Sequence, residues 1–259
     1  MPSKTAFFRF YEELNDFLPV HKRKRTFSYP FDGRPAVKDA IEAEGVPHAE
    51  VDLILVDGRS VDFGYRIQDG DRVSVYPVFE SLDISPLVRL RERPLRKTRF
   101  ILDVHLGKLA RFLRLLGFDT RYRNDLDDPE IIEIAVSEGR IILTRDIGIL
   151  KRSAVTHGYW LRSTDPEEQI QEVLHRFDLY SRIRPFYRCI HCNGLIEPVA
   201  KAKVESQLQP RTKKYHDEFF RCTGCGRIYW KGSHYLKMIA RIDRWMAVRT
   251  DETDDAADG

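Results

Sequence analysis

Four cysteines stand in two pairs, Cys189-Ile-His-Cys192 and Cys222-Thr-Gly-Cys225, with 29 residues between the pairs. Two such knuckles supply four thiolates, the donor set of a tetrahedral structural zinc site, and a complete set leaves no open coordination position for catalysis. Gly194, Gly224 and Gly226 suit tight turns in which backbone amides point at sulfur. His191 sits inside the first knuckle, but four cysteines make it unnecessary as a ligand. A redox pair is the competing use of such cysteines, and two pairs rather than one favour metal. The second set of chemically capable residues is acidic: Asp103, Asp125 with Asp127 and Asp128 close behind, Asp146, and Asp165. Carboxylate oxygens suit hard divalent cations such as Mg²⁺ and Mn²⁺, and a ring of acids on one edge would otherwise repel itself. Asp128 and Asp165 each precede a proline at a helix start, where capping alone accounts for them. Asp103 and Asp146 follow apolar runs directly and stand before no Pro-marked cap, so these two are expected to be functional.

The elements that must position these groups are legible from periodicity. Phe100 to Leu102, Asp119 to Arg123, Ile141 to Thr144 and Gly158 to Arg162 read as strands. They alternate with helices carrying Leu106, Leu109, Ala110, Leu113 and Leu116, then Ile131, Ile134 and Ala135, then Ile147 to Lys151, then a segment opened by Asp165-Pro166. Four strand–helix units predict a parallel sheet covered on both faces. Ligands of such sheets bind beyond the C-terminal strand ends, where every one of these strands ends in a carboxylate. On the helix after Asp103, Lys108, Arg111 and Arg114 recur every third residue, a candidate phosphate-binding stripe that a solvated helix face explains equally well.

Upstream, Ala6 to Tyr11 and Arg25 to Phe31 alternate as strands around the charged turn His21-Lys22-Arg23-Lys24. Pro35 opens a helix that Gly45 stops, and Leu53 to Val56, the Asp57-Gly58 turn and Arg72 to Pro77 complete a set of strands wrapping one helix, a β-grasp. The run "DLILVDGRSVDFGYRIQDGDRVSVYPVF" at 52–79 resembles the ubiquitin-like sulfur carriers of thiamine and molybdopterin biosynthesis. Those carriers are activated at a free Gly-Gly end, whereas here the chain continues through Val78-Phe79-Glu80-Ser81, so a docking or scaffold role is expected instead.

A second resemblance covers residues 99 to about 240. "FILDVHLGKLARFLRLLGFDTRYRNDLDDPEIIEIAVSEGRIILTRDIGILKR", residues 100–152, is similar to the RNase domain named after the C-terminal part of the MUT-seven exonuclease, a PIN-like nuclease branch. The zinc ribbon and the fused β-grasp module fit that family's architecture. The resemblance implies a metal-dependent ribonuclease whose acids map onto Asp103, Asp146 and an acid of the 125–128 cluster. It also suggests structured RNA such as tRNA as substrate. His105 departs from the apolar residue expected there and adds a polar group.

The expected organisation is therefore a ubiquitin-like β-grasp at 1–80, a basic linker at 81–98 with Arg89, Arg91, Arg93, Arg96 and Lys97, a PIN-like α/β nuclease domain at 99–184, a zinc ribbon with C-terminal helix at 185–249, and a disordered acidic tail at 250–259. The net charge of +3 is uneven: −3 over residues 1–80, +3 over 81–184 and +8 over 185–249. The last of these interleaves Tyr215, Phe219, Phe220, Tyr229 and Trp230 with bases, and Lys213, Lys214 and Arg221 are its candidate RNA contacts. No apolar run approaches the roughly 20 residues of a membrane span and the start lacks a signal-peptide pattern, so a cytoplasmic chain is expected. The competing function is a noncatalytic nucleic-acid-binding adaptor that uses the ribbon and β-grasp as interaction modules, with the acids as caps. A sulfur-transfer component is a third class, and exposed sheet edges make a dimer conceivable.

Overall fold

The computed structural model describes residues 4–77 and 98–254, so the basic run at 89–97 and residues 255–259 lie outside the described residues. The chain divides into two compact units. One comprises the residues up to Val104 together with Asp125–Arg162; the other comprises His105–Asn124 together with the residues from Ser163 onward.

In the first unit, β1 (Lys4–Phe10) and β2 (Phe27–Phe31) pair antiparallel. The chain then forms α1 (Val37–Ala43), β3 (Val51–Val56), β4 (Arg59–Val61) and β5 (Arg72–Pro77). Period-two alternation turns Ala6, Phe8 and Phe10 of β1 to the interior with Val73 and Val75 of β5, and α1 adds Val37, Ala40 and Ile41 to the same core. The sheet order is β2-β1-β5-β3-β4, with β1 and β5 parallel and the other pairs antiparallel, as a β-grasp requires. Asp57 and Gly58, at φ of 48° and 78°, turn β3 into β4 as the Asp-Gly signal predicts. The predicted hairpin forms with a turn at Arg23-Lys24, but its connection is long. Two 3₁₀ turns, Glu12–Phe17 and Val20–Lys22, fill the connection because Leu14 and Leu18 dip into the core.

The same unit holds β6 (Arg99–Leu102), and the second unit α2 (Gly107–Leu115) and β7 (Asp119–Arg121). The chain returns to the first unit for α3 (Asp128–Glu138), β8 (Ile141–Thr144), α4 (Ile147–Leu150) and β9 (Gly158–Trp160). β6, β8 and β9 run parallel, with Leu102 beside Leu143 and Thr144 beside Trp160. All four residues of β8 are buried, which is why it reads as an unbroken apolar run. Residues just after α1 pack within this unit against the α/β segment. Glu50, fully buried, accepts hydrogen bonds from Trp160 N and the Arg162 guanidinium, and His48 reaches Val155 O at 2.9 Å.

In the second unit, α5 (Pro166–Arg176) precedes β10 (Ile196–Val199), α6 (Pro210–Tyr215), β11 (Phe219–Cys222), β12 (Ile228–Tyr229) and α7 (Ser233–Asp254). The strands form an antiparallel sheet in the order β10-β11-β12. Trp245 of α7 is buried with its ring 4.9 Å from Phe112, and its Nε1 donates to Glu167 at 2.7 Å, so α7 anchors to both α2 and α5. Residues 250–254, read as the start of a disordered tail, continue α7 instead. No helix of the described residues is long and apolar enough to cross a membrane.

Candidate functional site

The two knuckles close on one another within the second unit. The four Sγ atoms of Cys189, Cys192, Cys222 and Cys225 all lie within 4.8 Å of one another, and among the described residues this is the one set of three or more such ligand groups so placed. Cys189 and Cys222 are buried, Cys192 and Cys225 exposed. The turn after Cys192 uses Asn193 at φ 69°, a left-handed conformation that asparagine tolerates, and Gly226 supplies the matching φ of 72° after Cys225. Gly194 and Gly224 serve space rather than φ: a Cβ on Gly194 would meet Cys222 Sγ at 2.9 Å, and one on Gly224 would meet Cys192 Sγ at 3.2 Å. Backbone N–H groups of Gly194 and Gly224 point at Cys192 Sγ and Cys222 Sγ at 3.4 and 3.3 Å. Burial would raise the Cys189 thiol, but hydrogen bonds from the Tyr229 hydroxyl and from the backbone of Cys192 and His191 bring it down to about 7. Tyr229, 2.9 Å from that sulfur, is pushed up by its own burial and by the thiolate it faces. The set fits a metal that prefers sulfur.

Arg114 corrects the predicted stripe. Three-residue steps fall about 60° short of a full turn each, so by the second step the side chain has rotated about 120° from Lys108. Lys108 and Arg111 are exposed, while Arg114 is 4% exposed. Its guanidinium donates to the carbonyls of Thr120 at 3.0 Å, His191 at 2.9 Å and Ile190 at 3.3 Å, tying α2 to the first knuckle. Asn193 completes the tie, accepting from Thr120 N at 3.0 Å and donating to Asp119 at 2.8 Å. Arg114 is therefore a clamp inside the fold, not a phosphate ligand.

The strand-end acids Asp103, Asp125, Asp128 and Asp146 all belong to the first unit. Asp103 leaves β6 half-buried, its amide bonded to Leu143 O at 3.2 Å. Thr144, the last residue of β8 and fully buried, donates its hydroxyl to Asp103 Oδ2 at 3.0 Å and accepts the Asp146 amide at 2.8 Å. One hydroxyl thus joins the two positions that spacing alone had singled out. Asp146 is also an N-cap, its Oδ1 accepting Gly148 N at 2.7 Å, although no proline marks this helix start. The cap of α3 is Asp127, not Asp128. Asp127 Oδ1 accepts Glu130 N at 2.9 Å in a reciprocal capping box, which leaves Asp128 as the first helical residue. Asp165 caps α5 through Glu167 N and Glu168 N, as expected, and belongs to the second unit. Asp125 and Asp128 are exposed on either side of Leu126 and Asp127, with Leu126 anchored in the core beneath.

Of the candidate RNA contacts on the ribbon, Lys214 and Arg221 are exposed, and Lys213 is exposed and paired with Glu205 at 2.9 Å. Tyr215 and Trp230 are exposed, whereas Phe219 is buried at 2% and fills the core, so it is not a stacking platform. Reading by residue type overlooked Thr144, Asn193 and the bond of Tyr229 to Cys189, because a hydroxyl or amide becomes informative only once its partner's position is known.

A model of the family described as Mut7-C RNAse domain matches residues 98–242, and one described as Mut7-C ubiquitin matches residues 3–83. No curated protein and no solved structure matches the chain.

Proposed function

Because the chain belongs to the Mut7-C RNAse domain family, with residues 98–242 of its 259 matched, we propose that it is a metal-dependent ribonuclease with Asp103 and Asp146 as its principal catalytic carboxylates and Asp125 or Asp128 assisting. The observation that carries this reading is the hydrogen-bonded path from Asp146 N through the Thr144 hydroxyl to Asp103 Oδ2. A threonine buried between two strand ends holds the acids in register. It also leaves them with oxygen donors, which fit Mg²⁺ or Mn²⁺ better than softer ions. When bound, such a cation supplies Lewis acidity and lowers the pKa of a coordinated water near a phosphodiester. The chain's own contribution is positional: Thr144 fixes Asp103, and Gly148 N fixes Asp146 Oδ1 at 2.7 Å, so neither carboxylate must be ordered when RNA arrives.

The four thiolates hold one structural zinc in this reading, and Lys108, Arg111, Lys213, Lys214 and Arg221 bear on RNA phosphates, with structured RNA such as tRNA as the substrate class. The β-grasp offers a surface to a protein partner, although its His48 and Glu50 are already engaged inside the unit. The sequence-derived domain limits, 1–80, 99–184 and 185–249, are kept as part of the proposal. Incubating the purified chain with mixed RNAs, with and without added Mg²⁺ or Mn²⁺, tests the activity. Cleavage that requires the added cation is expected, and RNA that stays intact under every cation would leave a noncatalytic adaptor.

A further inference from the structure

Within the second unit lies a cavity of about 410 Å³, in the size range of small-ligand sites. Its wall brings together Phe186, Tyr187, Phe220, Tyr229, Trp230 and Tyr235, from the segment before the first knuckle, the ribbon strands and the start of α7. Arg184, Arg188 and Lys231 also line it, and no acid does. Lys231 is paired with Glu218 at 2.7 Å, so it is the aromatic faces together with the Arg184 guanidinium that suit a flat, electron-rich ring carrying a phosphate.

The details favour a site over a packing defect. Tyr187 and Trp230 remain 41% and 39% exposed although six aromatic rings gather here. Phe186 adopts φ 61°, a conformation rarely tolerated by a bulky side chain and found where a fold holds a group against its local preference. That strain sets its ring 4.6 Å from Tyr235. Tyr229 is fixed by its hydroxyl on Cys189 Sγ at 2.9 Å, so one wall is anchored to the cysteine cluster. Arg188 is spent on the wall, donating to Asn193 O at 2.9 Å and pairing with Asp119 at 3.4 Å. Arg184 is exposed at the rim, its guanidinium 5.9 Å from the centre of the Tyr187 ring.

We propose that this cavity takes one unstacked base of single-stranded RNA, stacked on Trp230 or Tyr187, with Arg184 meeting the adjoining phosphate. The proposal rests on the reading of the chain as an RNA-cleaving protein and gives that reading a base-binding subsite remote in sequence from its acids. Stacking tolerates any base, so the subsite selects unpaired over paired nucleotides and not sequence.

The test is binding of a fluorescein-labelled RNA octamer to the full chain with Mg²⁺ and Mn²⁺ omitted, so that cleavage plays no part. Trp230→Ala is expected to weaken binding by roughly 5- to 150-fold, the span of one lost base–aromatic stack. Tyr187→Ala should weaken it too, and Trp230→Phe should keep most of the affinity, with zinc content unchanged in all three. An octamer lacking the base at the responsive position should lose as much as Trp230→Ala, and the two changes together should lose no more than either alone. Variants that bind RNA as the parent does overturn the proposal, and the cavity then belongs to another class of ligand, such as an apolar peptide. If Trp230 governs RNA affinity but no cation supports cleavage, the base site stands and the ribonuclease reading falls. Cation-dependent cleavage with an affinity indifferent to Trp230 and Tyr187 has the opposite meaning.

Discussion

Thr144 is buried, yet its hydroxyl serves both Asp103 and Asp146. Replacing it with valine keeps the shape and removes the hydrogen bonds. Thr144→Val is therefore expected to cost about 1–3 kcal/mol by urea unfolding, the usual penalty for orphaned buried groups. It should also slow cleavage more than the lost stability explains, because the Asp103 carboxylate and the Asp146 backbone lose their common anchor. A valine variant with the parent's rate would show that the anchor is idle. Arg114→Lys should also destabilise, by about 2–4 kcal/mol, since a point charge cannot fork to carbonyls on two segments as the guanidinium does. An unchanged urea midpoint would contradict the clamp. At this scale the cysteines were legible because thiolate pairs at knuckle spacing have few other uses. The place of Asp103 at a strand end was legible because the apolar run before it stops there. Arg114 was not, since a step of three residues looks like a stripe in the sequence and is a rotation on the helix. The exchange of roles between Asp127 and Asp128 was hidden for a similar reason: either acid before Pro129 satisfies the cap signal, and only the capping box with Glu130 decides.

Among the elements, the knuckle turns tolerate least. Gly194→Ala would force a Cβ to 2.9 Å from Cys222 Sγ, and the nearest alternatives are backbone and another sulfur, so nothing can give way cheaply. Loss of bound zinc, read by elemental analysis, is the expected result, against one zinc per parent chain. Strands and helices were legible where an apolar run or a cap marked them, as in β8 with its four buried residues and α5 with its Asp165 cap. The 3₁₀ turns of the long connection after β1 were missed because Leu14 and Leu18 are the only apolar residues that this stretch buries, too few to print a period. The segment after α1 carries a pH effect. Burial holds the His48 imidazole below its ordinary 6.5, with the Glu42 carboxylate opposing and Lys38 reinforcing the shift. The unfolded chain takes up this proton first as pH falls. The stability contributed here is thus complete above the ordinary histidine value and is lost as pH drops towards the depressed folded value. His48→Gln should flatten the urea-midpoint profile between about pH 7 and about pH 5, and an equally steep profile would place the titration elsewhere.

On the scale of the whole molecule, the thiolates belong to the unit with the ribbon, and Asp103, Asp125, Asp128 and Asp146 to the one with the β-grasp. Sequence order had suggested a module-by-module chain. Each compact unit draws on two separate stretches of sequence, because segments far apart in sequence, such as Glu50 and Trp160, bury polar groups on one another, and no local pattern announces such a contact. Under the proposed function the two donor sets differ in chemistry, so withholding Mg²⁺ and Mn²⁺ would leave a thiolate-bound zinc in place. The most direct measurement is the single-turnover rate of RNA cleavage at saturating Mn²⁺ for the zinc-loaded parent, Asp103→Asn and Asp146→Asn. Asparagine keeps the size and removes the charge. Each variant is expected to fold with its zinc and to lose on the order of 10²–10³ in rate, as electrostatic catalytic groups do, whereas either variant cutting RNA at the parent's rate would contradict the assignment of catalysis to these strand ends.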